Sequence, residues 1–95
     1  MRNYELTTIV TPTVEEADVQ VVVDRVTGWI EAGGGQVTEV DNWGRRQLAY
    51  PIQKLTEGTY VLWHTQLEAE ALNELERNLK LDTDIIRYLL VRAVE

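Results

Sequence analysis

From Thr59 to Leu67 the chain alternates with a period of two. Val61, Trp63, Thr65 and Leu67 fall on one side, and Tyr60, Leu62, His64 and Gln66 on the other. That period belongs to a strand. The first set is mostly apolar and suits a core, while the second is mixed and suits an open surface. Whatever else the chain does, it must build a sheet that is covered on one face only.

The rest of the sequence supplies the cover. Tyr4, Leu6, Thr8 and Val10 alternate with Glu5, Thr7 and Ile9 in a first strand stopped by Pro12. Thr13-Val14-Glu15-Glu16 matches the capping-box pattern, so a helix is expected from Val14 to Ala32. Val19, Val22, Val23, Val26, Trp29 and Ile30 recur along it at helical spacing. Gly33-Gly34-Gly35 stops it and reads as a C-cap and turn. A phosphate loop is the alternative there, but no Lys-Ser/Thr follows and the glycines end a helix instead of opening one. A second strand runs from Gln36 to Ile52 as one long, bent segment. Val37 and Val40 are out of phase, and Gly44 suits a bulge. Gln53 to Gly58 reads as a loop before the strand at Thr59. A second helix is expected from Glu68 or Ala69, with Ala71, Leu72, Leu75 and Leu79 as its apolar stripe. Asp82-Thr83-Asp84 is a turn, and a fourth strand closes the chain from Ile85 to Val94. There Tyr88 and Leu90 lie opposite Arg87, Leu89 and Val91.

The order is βαββαβ, which defines an α+β, ferredoxin-like fold: a four-stranded antiparallel sheet with both helices on one face. Ninety-five residues suit one domain, read here as spanning 1–95. Tyr60, Leu62, Leu89 and Val91 should share the uncovered face, an apolar patch that suggests a docking partner.

Charge is distributed unevenly. The formal net charge is −7, which argues against indiscriminate nucleic-acid binding. Two segments, Thr13 to Ala32 and Glu68 to Asp82, carry the whole imbalance, and both are the expected helices. The remainder is neutral and holds Arg2, Arg45, Arg46, Lys54, Arg87 and Arg92. An acidic helical side and a neutral side rich in arginine follow. The absence of cysteine removes disulfides, thiolate metal sites and cysteine nucleophiles, and fits a reducing compartment. No apolar run approaches the roughly 18 residues of a membrane span, and Met1-Arg2-Asn3-Tyr4-Glu5 does not open a signal peptide, so a cytoplasmic protein is expected.

Enzymatic readings find little support. There is no serine for a serine triad. His64 is the single histidine, with no cysteine or second histidine to complete a metal site; it is read as a strand residue at the sheet surface. Glu70 with Glu74 and Asp82 with Asp84 are carboxylate pairs without a cluster around them. An acylphosphatase-like enzyme of this fold would need an arginine in the Thr11-Pro12-Thr13 loop. No cofactor or catalytic residue is expected. RNA-recognition modules share the topology, but Gly58-Thr59-Tyr60-Val61-Leu62-Trp63 matches their stacking strand only in part, since Trp63 has core parity. Contact through arginines to phosphates and sugars is the better-supported reading.

Trp43-Gly44-Arg45-Arg46-Gln47-Leu48-Ala49-Tyr50-Pro51-Ile52, followed by Lys54, resembles the signature of the bacterial small-subunit ribosomal protein "S-six" family. So do the start, Met1-Arg2-Asn3-Tyr4-Glu5, and the end, Ile85-Ile86-Arg87-Tyr88-Leu89-Leu90-Val91-Arg92. The resemblance implies a non-catalytic role. It implies binding to the central domain of small-subunit ribosomal RNA as a heterodimer with ribosomal protein "S-eighteen". A basic partner would supply the positive charge that this acidic chain lacks. By position, the resemblance makes Arg2, Arg46, Lys54 and Arg87 candidates for RNA contact, to which the charge reading adds Arg45; the expected faces make Tyr50, Pro51, Tyr60, Leu62 and Leu89 candidates for partner contact. The alternative from another class is a protein-only interaction module of the same fold.

Overall fold

The computed structural model describes residues 1–93. Its elements are β1 (Arg2–Val10), α1 (Glu16–Ala32), β2 (Gln36–Ile52), β3 (Leu55–Leu67), α2 (Leu72–Leu81), entered through a 3₁₀ turn at Ala69–Ala71, and β4 (Ile85–Arg92). The sheet runs β2-β3-β1-β4 and every pairing is antiparallel, so the ferredoxin-like expectation holds. Val94, the expected end of the fourth strand, lies outside the described residues.

Strand alternation sets the core. Leu6, Thr8 and Val10 of β1 and Val61, Trp63 and Leu67 of β3 are buried beneath the helices. From above, α1 buries Val19, Val22, Val23, Val26 and Ile30, and α2 buries Leu75 and Leu79. Each fully buried side chain of this size is worth about 1.5–3 kcal/mol over an exposed one, which outweighs the modest helix propensity of the valines. Trp63 is fully buried, and its indole N–H donates to Thr27 Oγ1 of α1 at 3.2 Å. That bond satisfies the one polar group of the largest core side chain.

Two local expectations are overturned. The capping box does not form: α1 begins at Glu16, not Val14, and Glu15 is its N-cap without a side-chain bond. Pro12 and Thr13 belong to a preceding turn, closed by Val14 N–H donating to Thr11 O at 3.1 Å. The Thr13 hydroxyl is engaged there with the Thr11 hydroxyl, 3.2 Å away. Nor is Gln53 to Gly58 a loop. The hairpin continues to an Ile52–Leu55 pair and reverses at Gln53-Lys54, whose φ angles are 51° and 66°. Two consecutive positive φ angles give the primed twist that matches paired strands, so β3 starts four residues earlier than its alternation suggested.

The glycine stop behaves as expected. Gly34, at φ 83°, follows the C-cap residue, and its N–H donates to Glu31 O at 3.0 Å. Gly35 N–H reaches Ile30 O at 3.0 Å, completing a Schellman ending. Arg25 ties α1 to the turn before β4, bonding Asp82 and lying 3.4 Å from Asp84 Oδ2.

The covered face also contains Tyr88, whose hydroxyl donates to Glu76 Oε1 of α2 at 3.0 Å. Burial, and then the neighbouring Glu76, raise the phenol above its usual value. The folded value therefore exceeds the unfolded one. The stability linked to it is complete below about pH 10 and declines as pH rises through the folded value. Urea midpoints should fall above about pH 10, and less steeply for Tyr88→Phe than for the natural chain; equal slopes would contradict the coupling.

Candidate interface on the open sheet face

Strand register arranges the uncovered face in rows. One row crosses the sheet as Gly44, Tyr60, Ile9 and Arg87. The next is Asp41, Leu62, Thr7 and Leu89, and the third is Glu39, His64, Glu5 and Val91. The face thus changes character along the strands, from cationic and aromatic, through apolar, to acidic.

β2 shapes the first row by carrying extra residues. Asn42 faces Val61 and Gly44 faces Tyr60, so Trp43 is an unpaired bulge residue. Gly44 adopts φ 81°, a value an L side chain resists, and its N–H donates to Asn42 Oδ1 at 2.8 Å. The bulge turns Trp43 onto the open face, 47% exposed, where its ring stacks on Tyr60 with centroids 6.5 Å apart and planes within 10°. The Arg46 guanidinium lies 5.5 Å from the Trp43 ring centroid. The result is a cation–indole–phenol stack in which Arg46 and Trp43 face solvent and Tyr60 is half-buried beneath them.

A second departure lies beyond Gln47. Gln47 faces Glu57 and Ile52 faces Leu55, so the four residues 48–51 stand opposite Thr56 alone. This irregularity, containing Pro51, carries Tyr50 over the open face to where the Arg87 side chain reaches it. There Arg87 of β4 donates to Tyr50 Oη at 2.6 Å and lies 5.6 Å from the ring centroid. A groove of about 320 Å³ remains between hairpin and sheet, lined by Ile9, Leu48, Tyr50, Tyr60, Arg87 and Leu89 among others.

The two adjacent arginines are separated, as their parity required. Arg45 turns from the open face and donates to Pro12 O at 2.9 Å, Val14 O at 3.3 Å and Glu57 Oε1 at 3.2 Å. It braces β2 against the connection into α1. Arg87 and Arg46 are both exposed on the open side, and Lys54 stands at the hairpin tip. Arg2 is placed apart, beside Glu68, Glu70 and Arg92 at the start of β1. Tyr60 and Leu62 are half-buried in the sheet, and Leu89 is 62% exposed beside them. Tyr50 and Pro51 are exposed on the bulge.

Sequence reasoning missed two things. It treated Trp43 as part of a motif and not as a surface ring; the signal was Asn42-Trp43-Gly44, a bulge turn with an aromatic at the extra position. It also tested His64 only for histidine and cysteine partners, whereas Glu39 Oε2 and Asp41 Oδ2 lie 3.5 and 3.9 Å from His64 Nε2.

A ferredoxin-like sheet with acidic helices on one side and a stacked, cationic surface on the other has the build of a binding protein of ribonucleoprotein type. Similarity to known proteins agrees. The family model described as Ribosomal protein S6 matches residues 3–92. The small ribosomal subunit protein bS6 of Desulforamulus reducens is 42% identical over 95 residues, covering all of both chains. The one from Moorella thermoacetica is 43% identical, covering all of this chain and 97% of its own. The crystal structure of 30S ribosomal protein S6 from Thermotoga maritima superposes with a TM-score of 0.92 at 33% identity, covering 97% of this chain and 87% of that one. The C-terminal domain of the Mycobacterium tuberculosis MgtC protein, at 13% identity and a TM-score of 0.59, shares the fold alone.

The chain belongs to the ribosomal protein S6 family. It is a structural protein of the bacterial small ribosomal subunit, hence of the cytoplasm, and not an enzyme. No helix among the described residues is long and apolar enough to cross a membrane.

The unequal roles of the arginines can be measured. Arg45→Ala should lower unfolding free energy by about 1–2 kcal/mol by removing its hydrogen bonds, whereas Arg46→Ala should change it by no more than about 0.5 kcal/mol. Urea denaturation of the two variants checks this, and equal decreases would refute the division.

Proposed function

We propose that this chain binds the central domain of small-subunit ribosomal RNA together with a basic protein partner, ribosomal protein "S-eighteen", through the open sheet face, the residues 1–95 acting as one unit. The observation that carries the reading is the pairing of the two arginines on the open sheet face with aromatic rings: Arg46 with Trp43, and Arg87 with Tyr50. A guanidinium held over a ring keeps its charge and loses conformational freedom, so it is ordered before it meets a phosphate. Trp43 presents a flat ring on which an unpaired base can stack.

The acidic helices repel a polyanion, which leaves the other side of the molecule for RNA. Arg46, Arg87 and Lys54 supply phosphate contacts in this reading, Arg45 braces the strand that presents them, and Arg2 makes an outlying contact. Leu62 and Leu89 offer the partner an apolar strip between the cationic row and the acidic row, and Tyr50, Pro51 and Tyr60 extend that contact into the cationic end. A net charge of −7 makes binding by this chain alone weak, and a basic partner offsets that charge.

The test is a gel shift on a central-domain RNA fragment with this protein, the partner, and both. Both proteins together should bind far more tightly than either. Replacing Arg46 and Arg87 together by alanine should weaken the joint complex at least tenfold. The salt slope should fall by about 0.7–0.9 for every phosphate that the variant no longer neutralises. Unchanged affinity and slope would overturn the assignment. The protein-only alternative draws on the strip formed by half-buried Leu62 and exposed Leu89; it predicts that association with the subunit survives ribonuclease treatment.

A further inference from the structure

We infer that Glu39, Asp41 and His64 form a surface site for a divalent transition-metal ion of the zinc class. The three ligand atoms lie within 4.8 Å of one another, with His64 Nε2 at 3.5 Å from Glu39 Oε2 and 3.9 Å from Asp41 Oδ2. Around tetrahedral zinc, bonds of about 2.0–2.1 Å put neighbouring ligand atoms roughly 3.3–3.4 Å apart. Small rotations of these partly exposed side chains close the remaining gap.

A bulge in β2 makes the constellation. Val37 faces Thr65 and Glu39 faces His64, so Thr38 is the extra residue. Without it, Thr38 would face His64, and Glu39 and Asp41 would point under the helices. The insertion delivers both carboxylates to the imidazole. Thr38 Oγ1 donates to His64 O at 3.0 Å and fixes the register. The ligands therefore stand on two paired strands and not on loops, a placement that favours a defined geometry.

The chemistry of the cluster favours a cation. Both carboxylates converge on one ring nitrogen, yet an imidazole N–H can serve only one acceptor at a time. A metal ion between the three satisfies all of them. Among the described residues, neither Glu39 nor Asp41 has an ion-pair partner other than His64. Glu5 stands directly opposite His64 on β1 and adds a second carboxylate to the row of Glu39 and His64. One imidazole nitrogen with two carboxylate oxygens suits zinc, cobalt or nickel better than magnesium or calcium, which take oxygen alone. Three protein ligands leave a coordination position open toward solvent.

The site is tested on the intact free protein, without RNA, by following the His64 ring resonances during titration with zinc chloride at pH 7.5. Saturable one-to-one shifts of that ring are expected. His64→Gln and Glu39→Gln, each checked for native circular dichroism, should weaken zinc binding at least tenfold by calorimetry. Asp24→Asn, on the far helical face, should leave it unchanged. Zinc that leaves the His64 ring unperturbed, or binds equally to the natural chain and His64→Gln, would overturn the proposal.

Discussion

Trp63 is enclosed by neighbouring strands and by α1, and its indole N–H is held by Thr27. Side chains alternate along a strand, so fixing Trp63 inward fixes Val61, Thr65 and Leu67 inward with it. It also fixes Tyr60, Leu62 and His64 outward. A shift of one residue would exchange the two sets and bury a histidine in place of a tryptophan. β1 repeats the pattern through the Leu6–Trp63 pair, and β4 through Leu6–Leu90. The functional face is thus a consequence of the core: its residues are those the core excludes.

β2 departs from this regularity, and its departures carry the chemistry. Thr38 brings two carboxylates to His64, Trp43 supplies an exposed ring, and 48–51 carry Tyr50 across to Arg87. Bulges are tolerated because β2 is an edge strand with its outer backbone free to bend. The same extra residues blunt an edge that would otherwise be long and flat. Separating Arg45 from Arg46 lets one strand be braced and displayed at once.

The sequence made the covered layer legible because burial leaves a periodic trace. The parity of β1 and β3, the valine stripe of α1 and the glycine stop at Gly34 all followed from local patterns. Parity also separated Arg45 from Arg46. Features that depend on long-range partners were not legible. The Thr13 hydroxyl had two available uses, and the turn at Thr11 took it. Gln53-Lys54 carries no glycine to announce a primed turn, so the hairpin read as a loop. The reach of Tyr50 to Arg87 spans 37 residues of sequence and appears only once β2 is seen to bend. Full-length similarity to the ribosomal protein S6 family adds what physics alone does not: the particle to which the protein belongs.

Charge gives the molecule a direction. Acids fill the outward sides of both helices, and the open face runs from arginine and aromatic to carboxylate. In the proposed complex the arginine end meets RNA and the helices face away. The most direct measurement of that orientation is a side-chain nuclear magnetic resonance map of labelled protein, free and bound to a central-domain RNA fragment with the basic partner. The Trp43 indole and the Arg46 and Arg87 guanidinium resonances should shift strongly, while Val21 and Leu81 on the helices stay in place. Shifts concentrated on the helices, with Trp43 and both arginines unmoved, would contradict it.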